Sequence, residues 1–290
     1  MRPAPFDLVT PSTLDEALVA LRDGDDVRAL AGGQSLIALM NLRFAVPGSL
    51  VDLGQVNELA RVEDHDDFVR IGAMATQAVV HRHPVVAARA PLVAEALGHV
   101  GHWQIRTRGT IGGNLAHGDP ASELPAVMLA LAGVYQARSA GGSRSIAADD
   151  FNLGPYSTAL AEGELLVAVD VPHGSPAEAT AIIEITRLAG AYAMAGAAVW
   201  CRLNGNVVTA CRIALFAAGS RAIRVAAAEA AIQDTELDDS AIAAAADATS
   251  ASVSPPGDVH VTADQRRHLL SVVVARALRV VRQRAEVQTR

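Results

Sequence analysis

Two short glycine clusters carry the clearest chemical signal in this chain: AGGQS from Ala31 to Ser35, and GTIGGNLAHGDPASELP from Gly109 to Pro125. Glycines crowded this closely mark places where φ must be positive or another group must approach the backbone. Consecutive N–H groups in such turns converge into a concave anion site that suits a phosphate or pyrophosphate. Taken singly, each cluster reads equally well as a tight turn in a β-rich domain. Taken as a pair, separated by roughly the length of a small α/β unit, they point to a dinucleotide site. The candidate contacts in the first cluster are Ala31, Gly32, Gly33, Gln34, Ser35 and Leu36, with the Ser35 hydroxyl as an added donor. A helix beginning there would turn its positive end toward the same anion. In the second cluster, Thr110, Ile111, Gly112, Gly113, Asn114 and Leu115 would approach the other side of the ligand.

Other chemistries fit less well. There is no G-x-x-x-x-G-K-S/T and no G-x-G-x-x-G after a strand, so neither a P-loop nor a Rossmann fingerprint is present. His81 with His83, and His99 with His102, lack a third carboxylate or cysteine ligand in register, which argues against zinc. His117, beside the second cluster, reads as a residue that touches or covers the ligand. No Ser-His-Asp or Cys-His nucleophile has a recognisable context. Cys201 and Cys211 flank an Asn-Gly turn and read as buried strand thiols, too few for a disulfide framework or an iron–sulfur site. A net charge of −7 gives no footprint for nucleic acid or an anionic membrane. No signal peptide is apparent and no uncharged stretch is long enough to span a bilayer, so a soluble cytoplasmic protein is expected.

The elements that must position these clusters follow from pattern. Phe6–Val9, Val27–Leu30 and Leu50–Leu53 read as strands around two helices, the first opened by a capping box at Thr13-Leu-Asp-Glu16. A second α/β unit runs from Val69 to Val171. Within it Thr76 and Ser122 are expected helix caps, Pro125 sits in a first turn, and Gly133 stops that helix. After His173-Gly-Ser-Pro176 the texture changes to three long apolar strands with an Asn204-Gly205 hairpin, then alanine-rich helices. The last helix opens on a capping box at Thr262–Gln265 and carries Leu270, Val273, Val274, Ala277 and Val281 as a core stripe. Its Arg266, Arg267, Arg276, Arg279, Arg282 and Arg284 are expected on a solvated or interface face. The fold class is α+β. Residues 1–176 form one domain with subdomains about 1–55 and 56–176, and residues 177–290 form a second, built on a three-stranded antiparallel sheet backed by helices.

The segments AGGQSLIALMNLRFAVPGSLVDL and QIRTRGTIGGNLAHGDPASELPAVMLAL resemble the two FAD-binding segments of the medium flavoprotein subunit of molybdenum hydroxylases. That group includes aerobic carbon monoxide dehydrogenase and xanthine dehydrogenase, and the similarity continues through DFNLGPYSTALAEGELLVAVDVP and ITRLAGAYAMAGAAVW. It implies FAD held between the two small subdomains of residues 1–176, and a C-terminal flavoprotein domain. It places Glu123 near the ribityl or adenosine hydroxyls, against the plainer reading of a helix-start charge. It sets Tyr192 beside the isoalloxazine ring, against that of a core tyrosine. Ala38, Thr107 and Ala191 stand where the family commonly has proline, asparagine and aspartate, and the last alters polarity near the flavin. By the same resemblance the chain is an oxidoreductase subunit. Its partners would be a large subunit with the molybdenum cofactor and a small subunit with 2Fe–2S clusters, as a dimer of heterotrimers. Electrons would leave FAD for NAD, a quinone or oxygen, and contact with a membrane would come only through that acceptor. The alternatives are a free-standing FAD oxidoreductase of the same fold and a flavin-free structural subunit.

Overall fold

The computed structural model describes residues 2–288. The chain opens with β1 (Asp7–Val9), α1 (Leu14–Asp23), β2 (Val27–Leu30), α2 (Leu36–Asn41) and β3 (Ser49–Asp52), the strands forming a parallel sheet in the order β1-β3-β2. The capping box at α1 is formed: Thr13 Oγ1 accepts from Glu16 N–H at 3.2 Å, and the Glu16 carboxylate accepts from Thr13 N–H at 3.3 Å. Leu14, Ala17 and Leu18 then bury one face of α1 against Val51, Leu53 and Leu59. β2 delivers the chain directly into Gly32 and Gly33 at its carboxyl end, the end where parallel strands usually present ligands.

The second unit comprises β4 (Val62–Asp64), β5 (Phe68–Gly72), α3 (Gln77–His81), α4 (Pro84–Arg89), α5 (Pro91–His99), α6 (Trp103–Arg106), α7 (Ile111–His117) and α8 (Glu123–Leu131). It continues through β6 (Val134–Ser139), β7 (Gly142–Ala147), α9 (Ala148–Phe151), β8 (Asn152–Gly154), β9 (Ser157–Thr158) and β10 (Leu165–Pro172). Its main sheet is antiparallel, in the order β4-β5-β10-β6-β7. Thr76 caps α3 as expected, accepting from Val79 N–H. Ser122 is the residue before α8 but makes no cap bond, and α8 ends on Ala132 at φ +51° rather than on Gly133. Gly133 serves closeness instead, because a Cβ there would lie 2.2 Å from Met128 Cε.

The third unit holds β11 (Glu178–Thr186), β12 (Ala193–Asn204), β13 (Val207–Phe216), β14 (Ile223–Arg224), α10 (Ala226–Ile232), α11 (Asp239–Ser252) and α12 (Ala263–Gln288). Its antiparallel sheet has four strands, not the three expected from pattern. β14 is two residues long, too short for alternation to reveal it. The sheet is buried on both faces. Ile182, Ala198, Trp200, Ala214 and Phe216 join the core of the second unit, while Ala181, Val199, Ile213 and Leu215 meet the expected stripe of α12. Cys201 and Cys211 lie opposite one another as buried free thiols. Burial raises both pKa values, that of Cys211 to about 12, which leaves them inert.

The arginines of α12 do not share one solvated face. Arg266 is 7% exposed, donates to the carbonyls of Met194 at 3.1 Å and Pro256 at 2.7 Å, and pairs with Asp258. Arg284 reaches Glu95 at 2.7 Å and so ties α12 to α5. Arg266→Met is expected to cost about 2–3 kcal/mol, because it removes the donor to two carbonyls and the cation beside Asp258, whose carboxylate keeps its bonds from the His260 and Val261 N–H groups. The midpoint of urea unfolding measures this, and an unchanged midpoint would return Arg266 to the surface role. No helix among the described residues is long and apolar enough to cross a membrane.

Candidate cofactor cleft

The two glycine loops meet, and Gly32 and Gly113 make room for that meeting, while Gly112 makes room for Ala73. A Cβ on Gly32 would lie 2.2 Å from the Arg108 carbonyl oxygen and 2.8 Å from Gly109 Cα. One on Gly113 would come within 3.2 Å of Ala31 Cβ, and one on Gly112 within 2.4 Å of Ala73 Cβ. Only Gly33 among them needs its glycine for conformation, at φ +73°.

Hydrogen bonding separates the loops further. In the second, Ile111 N–H goes to Ala75 O, Gly112 N–H to Ala73 O, Gly113 N–H to Thr110 Oγ1 and Asn114 N–H to Thr110 O. This loop is spoken for by the fold, which corrects the expectation that both clusters offer amides. In the first, no backbone N–H from Gly32 to Leu36 is donated to another group among the described residues. Ser35 makes no side-chain cap bond. Undonated amides therefore run along the first loop, from Gly32 to Leu36, and not along Ile111 to Asn114. The helix behind it spans six residues and contributes little dipole.

Between the loops lies a cleft of about 570 Å³ lined by every sequence candidate except Ile111 and Leu115. Those two are buried in the apolar core, 2% and 1% exposed, and anchor α7 instead. Gln77, Met74, Leu165 and Leu166 also line the cleft and were not singled out from sequence, and His102, weighed there only as a zinc ligand, lines it too. Gln77 is the consequential omission. It is 3% exposed, its backbone N–H is held by Gly109 O at 2.8 Å, and its Oε1 has no hydrogen-bond partner. In sequence it is one ordinary polar residue after a helix cap.

Glu123 begins α8, and the Ser122 hydroxyl beside it donates to Asn114 Oδ1 at 2.7 Å, fastening α8 to α7. The carboxyl is 8% exposed, and burial pushes its pKa up to about 7, with the charge of Glu184 adding to the rise. Glu123 nonetheless stands in the first turn of α8, where a backbone hydrogen bond works against the rise, so a helix-start role and a place at the cleft are both met by its position. Tyr192 is 73% exposed in the loop before β12, and with Gly190 and Ala191 it borders the cleft. It is no core tyrosine. His117 also lines the cleft, its pKa lowered by burial, with its ring 5.0 Å from that of Tyr156. No group of three His, Cys, Asp or Glu suited to a metal occurs among the described residues.

Comparison with known proteins gives this geometry a family. Residues 4–174 match the model of the FAD binding domain in molybdopterin dehydrogenase, and residues 181–281 match the carbon monoxide dehydrogenase flavoprotein C-terminal domain. The chain is 38% identical to the nicotine 6-hydroxylase medium subunit of Paenarthrobacter nicotinovorans, over 93% of this chain and 94% of that one. It is 37% identical to the carbon monoxide dehydrogenase medium chain of Hydrogenophaga pseudoflava, over 96% and 97%. A solved structure of the carbon monoxide dehydrogenase from Hydrogenophaga pseudoflava superposes with TM-score 0.95 at 38% identity, covering 98% of this chain and 99% of that one. Quinoline 2-oxidoreductase from Pseudomonas putida 86 superposes equally, with TM-score 0.95 at 35% identity over 98% and 99%. Sequence, both domain models and fold agree across nearly the whole length: the chain belongs to the FAD-binding medium subunits of molybdenum hydroxylases, the carbon monoxide dehydrogenase and xanthine dehydrogenase family.

Proposed function

We propose that FAD sits in the cleft between the two glycine loops, takes electrons from an iron–sulfur cluster on a partner subunit, and releases them to an external acceptor. The observation that carries this reading is the run of undonated amides from Gly32 to Leu36 on one wall of the cleft, which suits a pyrophosphate. The orphaned Oε1 of Gln77 offers an acceptor to a ligand N–H or O–H. The buried carboxyl of Glu123 suits a sugar or ribityl hydroxyl, and Tyr192 covers the mouth. When bound, the flavin supplies the electron-exchange chemistry, and this chain binds, orients and shields it. No side chain here needs to act as acid or base on the primary substrate.

The proposed partners are a large molybdopterin-binding subunit and a small 2Fe–2S subunit, arranged as a dimer of heterotrimers in the cytoplasm. The domain boundary falls near Pro172 to Pro176 in this reading. The relatives named above act on carbon monoxide, nicotine and quinoline, and the pocket for such a substrate belongs on the large subunit.

A visible spectrum of the chain alone, then of the co-expressed complex, tests the reading. Flavin bands with a maximum near about 450 nm are expected in both, with iron–sulfur and molybdenum signals only in the complex. A colourless complex would sink the FAD assignment, and a flavin-loaded chain that recruits no partner would favour the free-standing oxidoreductase. Tyr192→Ala is expected to leave FAD affinity within about threefold, since an exposed side chain contributes little. Iodide quenching of flavin fluorescence should rise, because the mouth is uncovered. Unchanged quenching would remove Tyr192 from the flavin.

A further inference from the structure

The C-terminal sheet turns one face toward the second unit, and that face leads into a second cavity. Side chains alternate along a strand, so the cross-strand pairs Ala198–Ala214, Trp200–Arg212 and Arg202–Ala210 share that face. Ala198, Trp200 and Ala214 pack in the core of the second unit. Next to them, between the sheet, the start of α5 and the linker Pro172–Pro176, is a cavity of about 840 Å³. It shares no lining residue with the cofactor cleft. Four arginines line it, Arg89, Arg202, Arg212 and Arg224, against one carboxylate, Glu178. Three of the four are matched. Arg202 pairs with Glu178 at 2.8 Å and Arg224 with Glu229 at 2.7 Å, while Arg89 stands 3.6 Å from Asp64. Glu178 also accepts from the Ser175 N–H at 3.2 Å and from the Trp200 indole. Asp64 is shared with His173, 2.9 Å away. Arg212 is the fourth. Its guanidinium makes no hydrogen bond or ion pair among the described residues and lies over the Trp200 ring, 4.9 Å from the centroid. Burial, then the charge of Arg224, press against its ionisation; Glu229 and Asp149 favour it, but Arg224 engages both. A half-buried cation without a carboxylate is unfavourable, and an anion brought into the cavity relieves it.

We propose that this cavity is a second binding site, for a small monocarboxylate with an apolar body, and that Arg212 holds the carboxylate. One unmatched guanidinium calls for one negative charge, and its planar fork suits the two oxygens of a carboxylate. A phosphate dianion would leave a charge of its own unmatched. Pro91, Leu92, Leu131, Pro172, Trp200 and Ala210 supply apolar wall for the rest of the molecule. The volume lies in the range usual for a small-molecule site. The walls come from α5 and α8 on one side and from β12 and β13 on the other. The ligand therefore bridges the second and third units, apart from the glycine loops.

The test is a titration of the full chain carrying Trp103→Phe, which leaves Trp200 as its one tryptophan and so as a reporter in the cavity. Its emission is followed at constant ionic strength against cyclohexanecarboxylate, the neutral cyclohexylmethanol and inorganic phosphate. A saturating change is expected with the carboxylate, and binding about tenfold weaker or less with the other two. Arg212→Gln should weaken carboxylate binding by about tenfold or more, and Arg212→Lys, which keeps the charge without the fork, should fall between. Should the glutamine variant fail to fold, Ala210→Leu fills the cavity from the neighbouring strand position and should weaken binding as well. Several results would overturn the proposal. An alcohol that binds as tightly, or an Arg212→Gln chain that binds as well, removes the guanidinium from recognition. Preferential saturation by phosphate makes the ligand class wrong. The same titration in the co-expressed complex should persist. Its loss there would give the cavity to an acidic side chain of a partner subunit instead of a small molecule.

Discussion

Gly32→Ala should abolish flavin retention. The added Cβ would sit 2.2 Å from the Arg108 carbonyl oxygen and 2.8 Å from Gly109 Cα, and both obstacles are backbone. Neither can rotate away as a side-chain tip would, so the two loops must part by about an ångström or the new methyl group must displace the first loop. Overpacking against a fixed wall costs about 1–3 kcal/mol or more, and here the displaced segment is the one with open amides. A loss of FAD affinity of about 100-fold or greater is expected, since one misplaced amide already weakens a pyrophosphate contact and five move together. Bound flavin per chain after gel filtration measures this, with circular dichroism to establish that the chain is folded. Gly54→Ala is a useful control, because its Cβ would meet only the Asp52 side chain, 3.1 Å away and outside the cleft. A folded Gly32→Ala protein with a full complement of flavin would mean that the loops tolerate separation and that the cleft is not formed by their contact.

The obstacle at Gly32 is the other loop, whereas the sequence alone says only that φ must be positive or that some group must approach the backbone there. The glycine clusters are visible in sequence, and so is their pairing, because three glycines within five residues seldom occur unless the backbone requires them. What they approach is not visible. Gly112 looks like a glycine for ligand contact, yet its N–H belongs to Ala73 O and its missing Cβ makes room for Ala73. Two loops far apart in sequence cannot announce that they touch. Local signals fare better. The capping boxes at Thr13 and Thr262 and the Asn204-Gly205 hairpin depend on neighbours along the chain, and all are formed. Arg266, Gln77 and Arg212 owe their roles to burial by distant segments, so no periodicity marks them. Tyr192 is placed at the cleft by resemblance, whereas its apolar flanks alone argue for the core.

Glu123 should make the flavin-free chain lose stability as pH rises from about 5 to about 7. Its carboxyl has an ordinary pKa of 4.5 and is pushed up to about 7 in the fold by burial. Between those values the unfolded chain has released the proton and the folded chain still holds it, so the folded state binds more protons and stability falls with increasing pH. The slope is about 1.4 kcal/mol per unit, for a total of about 3 kcal/mol, flattening above the folded value. Below the ordinary value the contribution is complete. His99, raised by Glu184, adds a fall of the same sign near neutral pH, while His117, lowered by burial, contributes a rise. Comparison with Glu123→Gln isolates the carboxyl, since the amide cannot ionise and should remain the more stable chain at pH 8. Urea midpoints at pH 5, 6, 7 and 8 for both proteins give the difference directly, and parallel curves would mean that the carboxyl is not desolvated. With FAD bound the slope should shrink, because a hydroxyl donated to the carboxylate stabilises the ionised form and brings its folded pKa back toward the unfolded one. The same measurement on loaded and stripped chains therefore reports whether the buried acid and the flavin meet, independently of turnover by any assembled complex.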